Sequence, residues 1–269
     1  MTHALAATSR PTRRRGWTSL AVVLLTAPLA AAGSAQPPSG EGVLGAACPG
    51  AGAMQLLLMP EQAQALAPEG RALTVTGTYT ATDKREGEKP KPVGLFLHQG
   101  RTISLEYGRM DGLLVIEADG AARISAAPAT RLGEADYDLT DRDGRRAFVE
   151  AARADGASVV QSHLLIRDGA LDLRPVEDAP AAVRRVLFQT GDGALAIWQS
   201  GSRPLTLHEA ATELEAAHAP VMALNLDMGS YDYCERAGQG GARICGFLDR
   251  EGAARLSNLL RLRPSDHCD

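Results

Sequence analysis

Three stretches of the chain share one pattern: an apolar run, a short turn built on glycine, and a second run that returns. They read PVGLFLHQGRTISLEY from Pro92, LLVIEADGAARIS from Leu113 and RRVLFQTGDGALAIWQS from Arg184. Runs this short, bounded by turn residues, form strands, and turns this tight join antiparallel neighbours. Glycine suits the turns because it reaches positive φ at little cost. A substantial antiparallel sheet component follows.

The remaining segments fit around it. RALTVTGTYTA from Arg71 alternates as a strand does, and TDKREGEKPKP after it is a charged loop. ASVVQSHLLIRDGAL reads as two short strands around a polar interruption at Gln161, Ser162 and His163. RDGRRAFVEAARA carries apolar residues at helical spacing. TLHEAATELEAA is the clearest helix, with Thr206 as cap, Glu209 three residues on, and one apolar face of Leu207, Ala210, Ala211, Leu214 and Ala217. Near the end, DREGAARLSNLLR suits a helix and RLSNLLRLR suits a closing strand. No internal repeat is present. The expected class is α+β: a mixed, largely antiparallel sheet with flanking helices.

Arg13, Arg14 and Arg15 precede an apolar run from Trp17 to Ala32 that ends in Gly33, Ser34 and Ala35, the layout of a secretory signal peptide over 1–35. Thr18, Ser19, Thr26 and Pro28 interrupt the run, which falls short of the roughly 20 residues of a comfortable span, so cleavage is expected rather than a stable membrane span. The paired arginines loosely suggest twin-arginine export. Residues 36–70, which include QPPSGEGVLGAACPGAGA, read as an exposed leader, and 71–269 as a single domain. The expected location is periplasmic or secreted.

Cys48, Cys234, Cys245 and Cys268 make an even count, which in an exported chain reads as two disulfides. Three connectivities are open. The Gly-rich ERAGQGGARI between Cys234 and Cys245 favours joining that pair, leaving Cys48 with Cys268. There is no CxxC pair, and no histidine stands at ligand spacing beside the cysteines. The net charge of -4 offers no basic excess for nucleic acid.

Generic chemical signatures fail. No GxSxG elbow surrounds Ser162, Ser200, Ser202 or Ser230; HEAAT at His208 lacks the second histidine; GQGGAR at Gly238 breaks the dinucleotide pattern; no phosphate-binding P-loop occurs. What stands out is VMALNLDMGSYDYC, where an apolar strand runs into Asn225, Asp227, Gly229 and Ser230, with Asp232 behind. Carboxylates on strand-end loops are held by the sheet yet reachable, although turns use the same residues.

Taken in order, KPVGLFLHQGRTIS, VVQSHLLIRDGAL, RRVLFQTGDGALAIWQS and LTLHEAATELEAAHAPVMALNLDMGS resemble the phosphodiester glycosidase domain family over roughly Leu73 to Arg263. The family includes the uncovering enzyme, which removes N-acetylglucosamine from its phosphodiester link to mannose. Its motifs correspond here to Pro92 to Leu95, to Gln161 and Ser162, to Arg184 ahead of Asp192 and Gly193, and to Asn225 through Ser230. The resemblance implies hydrolysis of a sugar-1-phosphodiester in a glycan or glycolipid. Arg184 would hold phosphate through two parallel donors, and Asp227 would stabilise or attack the anomeric centre. Asn225, Gly229, Ser230, Gln161, Ser162, His163 and Gly77 would contact substrate.

Three motifs depart from the family. VTGTYTA lacks the expected asparagine, perceived here as Thr76, while Gly77 and Tyr79 remain; QSHL replaces a QSGP-like segment; and LDMGS puts Met228 where glycine is expected. The alternative is therefore a noncatalytic carbohydrate-binding or envelope-assembly protein on the same fold, and a third is an exported structural or inhibitor domain. Each site residue also has a structural reading: Arg184 and Arg185 as surface charges, Gln161 and Ser162 as partners of backbone groups, and Asp232 paired with Arg236. The sequence assigns no cofactor, and Asp227, Asp232 and Glu235 leave a divalent cation open.

Overall fold

The hairpins form where the glycine turns place them. Leu95–His98 pairs antiparallel with Arg101–Leu105, Gly112–Ile116 with Ala122–Ala126, and Arg185–Gln189 with Leu195–Gln199. The computed structural model describes residues 42–66, 71–81, 90–238 and 241–266, and among these the strands build three principal sheets. The six-stranded sheet has the order Val43–Ala47, Leu195–Gln199, Arg185–Gln189, Met222–Asn225, Leu164–Arg167, Ala170–Leu171. One five-stranded sheet runs Arg101–Leu105, Leu95–His98, Ser158–Ser162, Gly112–Ile116, Ala122–Ala126. The other runs Gly241–Ile244, Cys234–Gly238, Leu73–Thr76, Asn258–Leu262, Met54–Leu58. Every pairing within the three is antiparallel, which gives the α+β class expected from sequence.

Strand periodicity explains how the three sheets share one core. Successive side chains point to opposite faces, so each strand serves two apolar layers. Leu187, Ile197 and Leu224 meet Phe96, Leu114 and Val160 from the second sheet and Leu56, Val75 and Leu260 from the third. The opposite faces are covered by helices. Val186, Phe188 and Ala223 pack on Ala210, Ala211 and Leu214 of the Leu207–His218 helix. Leu97, Leu113 and Val159 pack on Phe148 and Ala152 of the Arg142–Asp155 helix. Leu57 and Leu259 pack on Leu66, Ala253 and Leu256. Each fully buried leucine or phenylalanine contributes about 1.5–3 kcal/mol, so the alternation in these strands is the main force fixing their register.

The helices begin where the sequence predicts. Thr206 Oγ1 accepts from Glu209 N at 3.1 Å, and Glu209 Oε2 accepts from Thr206 N at 2.8 Å, completing a capping box. Asp141 caps the earlier helix by accepting from the Asp143 and Gly144 amides, and Gly156 ends it at φ 74.

One expectation changes, and one open reading is decided. The segment 36–70 is not an exposed leader where it is described: Val43–Ala47 and Met54–Leu58 are strands of two main sheets, with Ala47, Leu56 and Leu57 buried. Surrounding Pro and Gly hide these short runs, but VLGAA and MQLLL carry enough apolar surface to complete the sheets. The ambiguous C-terminal stretch divides into a short helix, Arg250–Ala253, and a strand, Asn258–Leu262. Cys234 and Cys245 are bonded, clasping the Cys234–Gly238 and Gly241–Ile244 hairpin. The expected Cys48 to Cys268 bond reaches a residue outside the described residues, as does the expected signal at 1–35. Among the described residues no helix is long and apolar enough to cross a membrane.

Candidate functional site

The polar interruption at Gln161, Ser162 and His163 is the point where the chain changes sheets. Ser158–Ser162 belongs to a five-stranded sheet and Leu164–Arg167 to the six-stranded one, with His163 between them. Met222–Asn225 lies next to Leu164–Arg167 and ends at Asn225, while Leu73–Thr76 of the third sheet ends at Gly77. Backbone and side-chain bonds tie these ends together. Ser162 Oγ donates to Asn225 O at 2.5 Å, Asn225 N donates to His163 O at 3.0 Å, and Asp227 N donates to Gly77 O at 2.8 Å.

Gly77 makes that approach possible. A Cβ there would stand 2.0 Å from Asn258 Oδ1, which accepts from Thr78 N at 2.9 Å. Beyond Gly77, the chain delivers Tyr79 and Thr80 to the loop after Asn225. Asp227 Oδ2 accepts from Thr80 N at 3.1 Å, and Asp227 Oδ1 accepts from Met228 N at 3.0 Å. Met228 has extended backbone, φ -148, and the positive φ falls at Gly229, φ 80. Methionine therefore fits the place where the family resemblance expects glycine without backbone strain.

Tyr79 is the hub. Its hydroxyl accepts from Asn225 Nδ2 at 2.6 Å, and its ring meets His163 edge-on with centroids 5.7 Å apart. Burial pushes the phenol up to about 12; the Asn225 and Ser162 hydrogen bonds and the Arg184 charge oppose the rise, and the Asp227 charge adds to it. Asp227 and Ser162 are held at the same strand ends, since Asp227 Oδ2 accepts from Thr80 N and Ser162 Oγ donates to Asn225 O. Burial also pushes the Asp227 carboxyl above its ordinary value, against its two backbone N–H bonds. Burial lowers the Arg184 guanidinium and the His163 imidazole, the latter against the charge of Asp111.

Arg184 is held for a purpose narrower than a free fork. Its Nε donates to Leu205 O at 2.7 Å and its Nη2 to Pro180 O at 2.6 Å, so the expected pair of free parallel donors is partly committed. Nη1 has no partner among the described residues. The guanidinium is thus fixed in place, half-buried, with one amino group open.

The other expected residues divide. Asn225 and His163 contact Tyr79, Ser162 is bonded to Asn225, and Asp227 is bonded to Gly77 and Thr80 on either side of it, while Arg184 is tied to Leu205 and Pro180. Gln161 faces elsewhere: its Oε1 accepts from Leu95 N at 2.9 Å and Gly108 N at 3.2 Å, and its Nε2 donates to Met110 O at 2.5 Å. It pins the 106–110 loop, because a buried amide at a strand end is best satisfied by backbone groups. Gly229 and Ser230 lie exposed in the short turn Gly229–Tyr231. Thr76, at the position where the resemblance expects asparagine, donates to Tyr231 O at 2.5 Å and accepts from Tyr233 N at 2.8 Å, anchoring that turn.

The carboxylates do not form one cation site. Asp232 is paired with Arg185 at 2.8 Å rather than with Arg236, and Glu235 is engaged by Arg250 and the Tyr233 hydroxyl. Among the described residues no group of three or more histidine, cysteine or carboxylate side chains is arranged to hold a metal. Arg185 is not a surface charge: it is fully buried, and it also donates to Tyr233 O at 3.0 Å and Gln199 Oε1 at 2.6 Å. A surface concavity of about 780 Å³, lined by Arg123, Arg131, Arg167 and Gln189, lies away from Tyr79. The chemistry of the Tyr79 cluster, rather than cavity size, marks it as the candidate.

Tyr79 itself is the residue that sequence reasoning passed over as a site member. The available signal was an aromatic residue placed two positions after Gly77, where the alternation of RALTVTGTYTA breaks.

No protein-family model matches the chain, and no curated protein matches it. Solved structures do. The zebrafish N-acetylglucosamine-1-phosphodiester alpha-N-acetylglucosaminidase catalytic domain, auto-inhibited by its pro-peptide, is 14% identical with a TM-score of 0.49, over 79% of this chain and 73% of that one. A putative exported protein from Burkholderia pseudomallei is 15% identical with a TM-score of 0.47, over 83% and 72%. A hypothetical protein from Synechocystis is 14% identical with a TM-score of 0.44, over 79% of this chain and 57% of that one. Likeness at this level assigns no residue a role.

Proposed function

We propose that the protein is an exported hydrolase that cleaves sugar-1-phosphodiesters at the glycosidic bond. The observation that carries this reading is that Tyr79, Asn225, Ser162 and Asp227, from segments widely separated in sequence, are drawn to one set of strand ends by hydrogen bonds. The motif order in the sequence supports the same assignment. The disulfide between Cys234 and Cys245 agrees with a periplasmic or secreted location.

The roles follow from charge. A phosphodiester is a permanent anion, and Arg184 presents a fixed cation whose Nη1 has no partner among the described residues. Cleavage of the C1–O bond develops positive charge at the anomeric carbon, which the Asp227 carboxylate stabilises or attacks. The phosphate monoester is a good leaving group, so one carboxylate is enough for the departure step. Asp227 acts in its ionised form, so activity rises with pH through a limb displaced upward by its burial.

The test is release of free sugar from a panel of N-acetylglucosamine-1-phosphodiesters by the mature protein, its Asp227→Asn variant and a chelator-treated sample. Release lost in the variant supports the glycosidase; loss on chelation adds a metal to it. One observation favours the binding alternative: both Asp227 oxygens already accept backbone N–H bonds. A folded protein that retains the diester without releasing sugar would establish that alternative.

A further inference from the structure

The strands that carry the candidate site at one end carry a second polar surface at the other. Arg167, Met222 and Gln189 stand abreast across the six-stranded sheet, since Arg167 pairs with Met222 and Met222 with Gln189. They lie at the far ends of Leu164–Arg167, Met222–Asn225 and Arg185–Gln189 from the candidate site, about 10–13 Å away at the rise of a strand. Ile124, on the end strand Ala122–Ala126 of a five-stranded sheet, donates its N–H to Gln189 Oε1 at 3.1 Å, so two sheets meet here. The concavity of about 780 Å³ opens over this junction and has the size of a small-ligand site.

Three arginines line it, and each is propped through only part of its fork. Arg123 Nη2 donates to Glu117 Oε1 at 2.7 Å. Arg131 donates from Nε to Gly133 O at 3.2 Å and from Nη2 to Glu134 Oε2 at 3.1 Å. Glu117 Oε1 also accepts from Gly133 N at 3.3 Å, which ties the two supports together. Arg167 is held through Nη2 alone, at 2.9 Å from Asp111 and 3.1 Å from Asp172. None of these four carboxylates lines the concavity, and Nη1 of each arginine has no partner among the described residues. In a chain of net charge -4, one surface thus gathers three braced cations with donors to spare.

The rest of the lining narrows the ligand. Asp136 and Asp168 stand among the arginines, and a carboxylate accepts from hydroxyl groups while repelling a bare oxyanion. Among the described residues no aromatic side chain lines the concavity, so it lacks the stacking platform that nucleic-acid bases use. A ligand that carries both acid groups and hydroxyls satisfies both kinds of side chain. We propose that this concavity binds an acidic glycan, with its phosphate or carboxylate groups on Arg123, Arg131 and Arg167 and its hydroxyls on Asp136 and Asp168. The site is separate from Asp227 and stands without the hydrolase reading. Where both hold, it anchors an acidic polymer one strand length from the reacting bond.

The experiment measures binding of neutral, phosphorylated and carboxymethyl dextran to the mature protein by calorimetry. The expected result is binding of an acidic dextran that weakens with salt, and none of the neutral one. The acidic dextran that binds identifies the acid group as phosphate or carboxylate. Arg123→Gln and Arg131→Gln should each lower that affinity about tenfold to a hundredfold, the loss of a hydrogen bond to a charged group. Arg146→Gln makes the same charge change on an exposed arginine off the concavity and should leave affinity unchanged. Asp227→Asn should bind as wild type does, so a failure of sugar release leaves this result standing. Binding of neutral dextran as tight as acidic, no binding of either acidic dextran, an equal loss in Arg146→Gln, or tighter binding of a single-stranded oligonucleotide would overturn the proposal. If the arginine variants do not fold, the Met222 methyl resonance of wild type decides: a shift on adding acidic dextran supports the site, and no shift at saturation refutes it.

Discussion

Replacing Arg185 by methionine should destabilise the protein far more than any exposed arginine change. The guanidinium is 0% exposed and the Asp232 side chain 6%, with Nη2 and Oδ1 2.8 Å apart. Burial lowers the Arg185 guanidinium, and the Asp232 charge and hydrogen bond draw it back. Arg185→Met removes that partner along with the bonds to Tyr233 O and Gln199 Oε1, leaving a buried carboxylate without compensation. Breaking a buried pair on one side costs about 3–5 kcal/mol. For a protein of this size each kcal/mol moves the melting midpoint by about 2–4 °C, so the midpoint should fall by about 6–20 °C. Urea unfolding followed by circular dichroism measures the free-energy change directly. The double variant Arg185→Met with Asp232→Leu removes both charges and should be more stable than Arg185→Met alone. A single-variant loss under about 1 kcal/mol, or a double variant that simply adds the two losses, would refute the reasoning.

Gly77→Ala should cost about 1–3 kcal/mol, because its Cβ would meet Asn258 Oδ1 at 2.0 Å, and it should lower turnover by displacing the carbonyl that holds Asp227 N. Denaturation and sugar release on the same sample check both effects. Asp172 is pushed up to about 6, first by burial and then by the hydrogen bond and charge of Asp111, against Arg167, whose Nη2 bonds both carboxylates. A raised carboxyl favours the fold in its protonated form, so this contribution is complete below the ordinary carboxyl value of 3.8 and is lost as pH rises to about 6. Asp111→Asn should move the Asp172 resonance toward an ordinary titration and flatten the stability slope in that window; an unchanged titration would remove Asp111 as a cause. Reducing Cys234–Cys245, which closes a separation of 11 residues, should cost about 3 kcal/mol by loop entropy, measured as the shift in urea midpoint with and without reductant.

The hairpins were legible because glycine turns and apolar runs are local signals, and the Leu207–His218 helix because its capping box lies within four residues. The Asn225 and Asp227 loop was legible for the same reason, as an abrupt change of polarity along a strand. The strands Val43–Ala47 and Met54–Leu58 were not, since their partners, Leu195–Gln199 and Asn258–Leu262, are far along the chain. Tyr79 and the buried Arg185 were obscured likewise. What makes each special is a contact with a remote segment: Asn225 for Tyr79, and Asp232 for Arg185. Gln161 and Ser162 are adjacent in sequence yet turn to opposite faces, so one pins a loop while the other joins the cluster.

The central claim is cleavage at the anomeric carbon with Asp227 in the chemistry, and the position of oxygen incorporation tests it most directly. Hydrolysis of an N-acetylglucosamine-1-phosphodiester in water enriched in heavy oxygen should place the label in the free sugar and none in the phosphate monoester, and the product should vanish with Asp227→Asn. Label in the phosphate would mean P–O cleavage, and label in the sugar at an undiminished rate with Asp227→Asn would remove Asp227 from the reaction; either result would contradict the account.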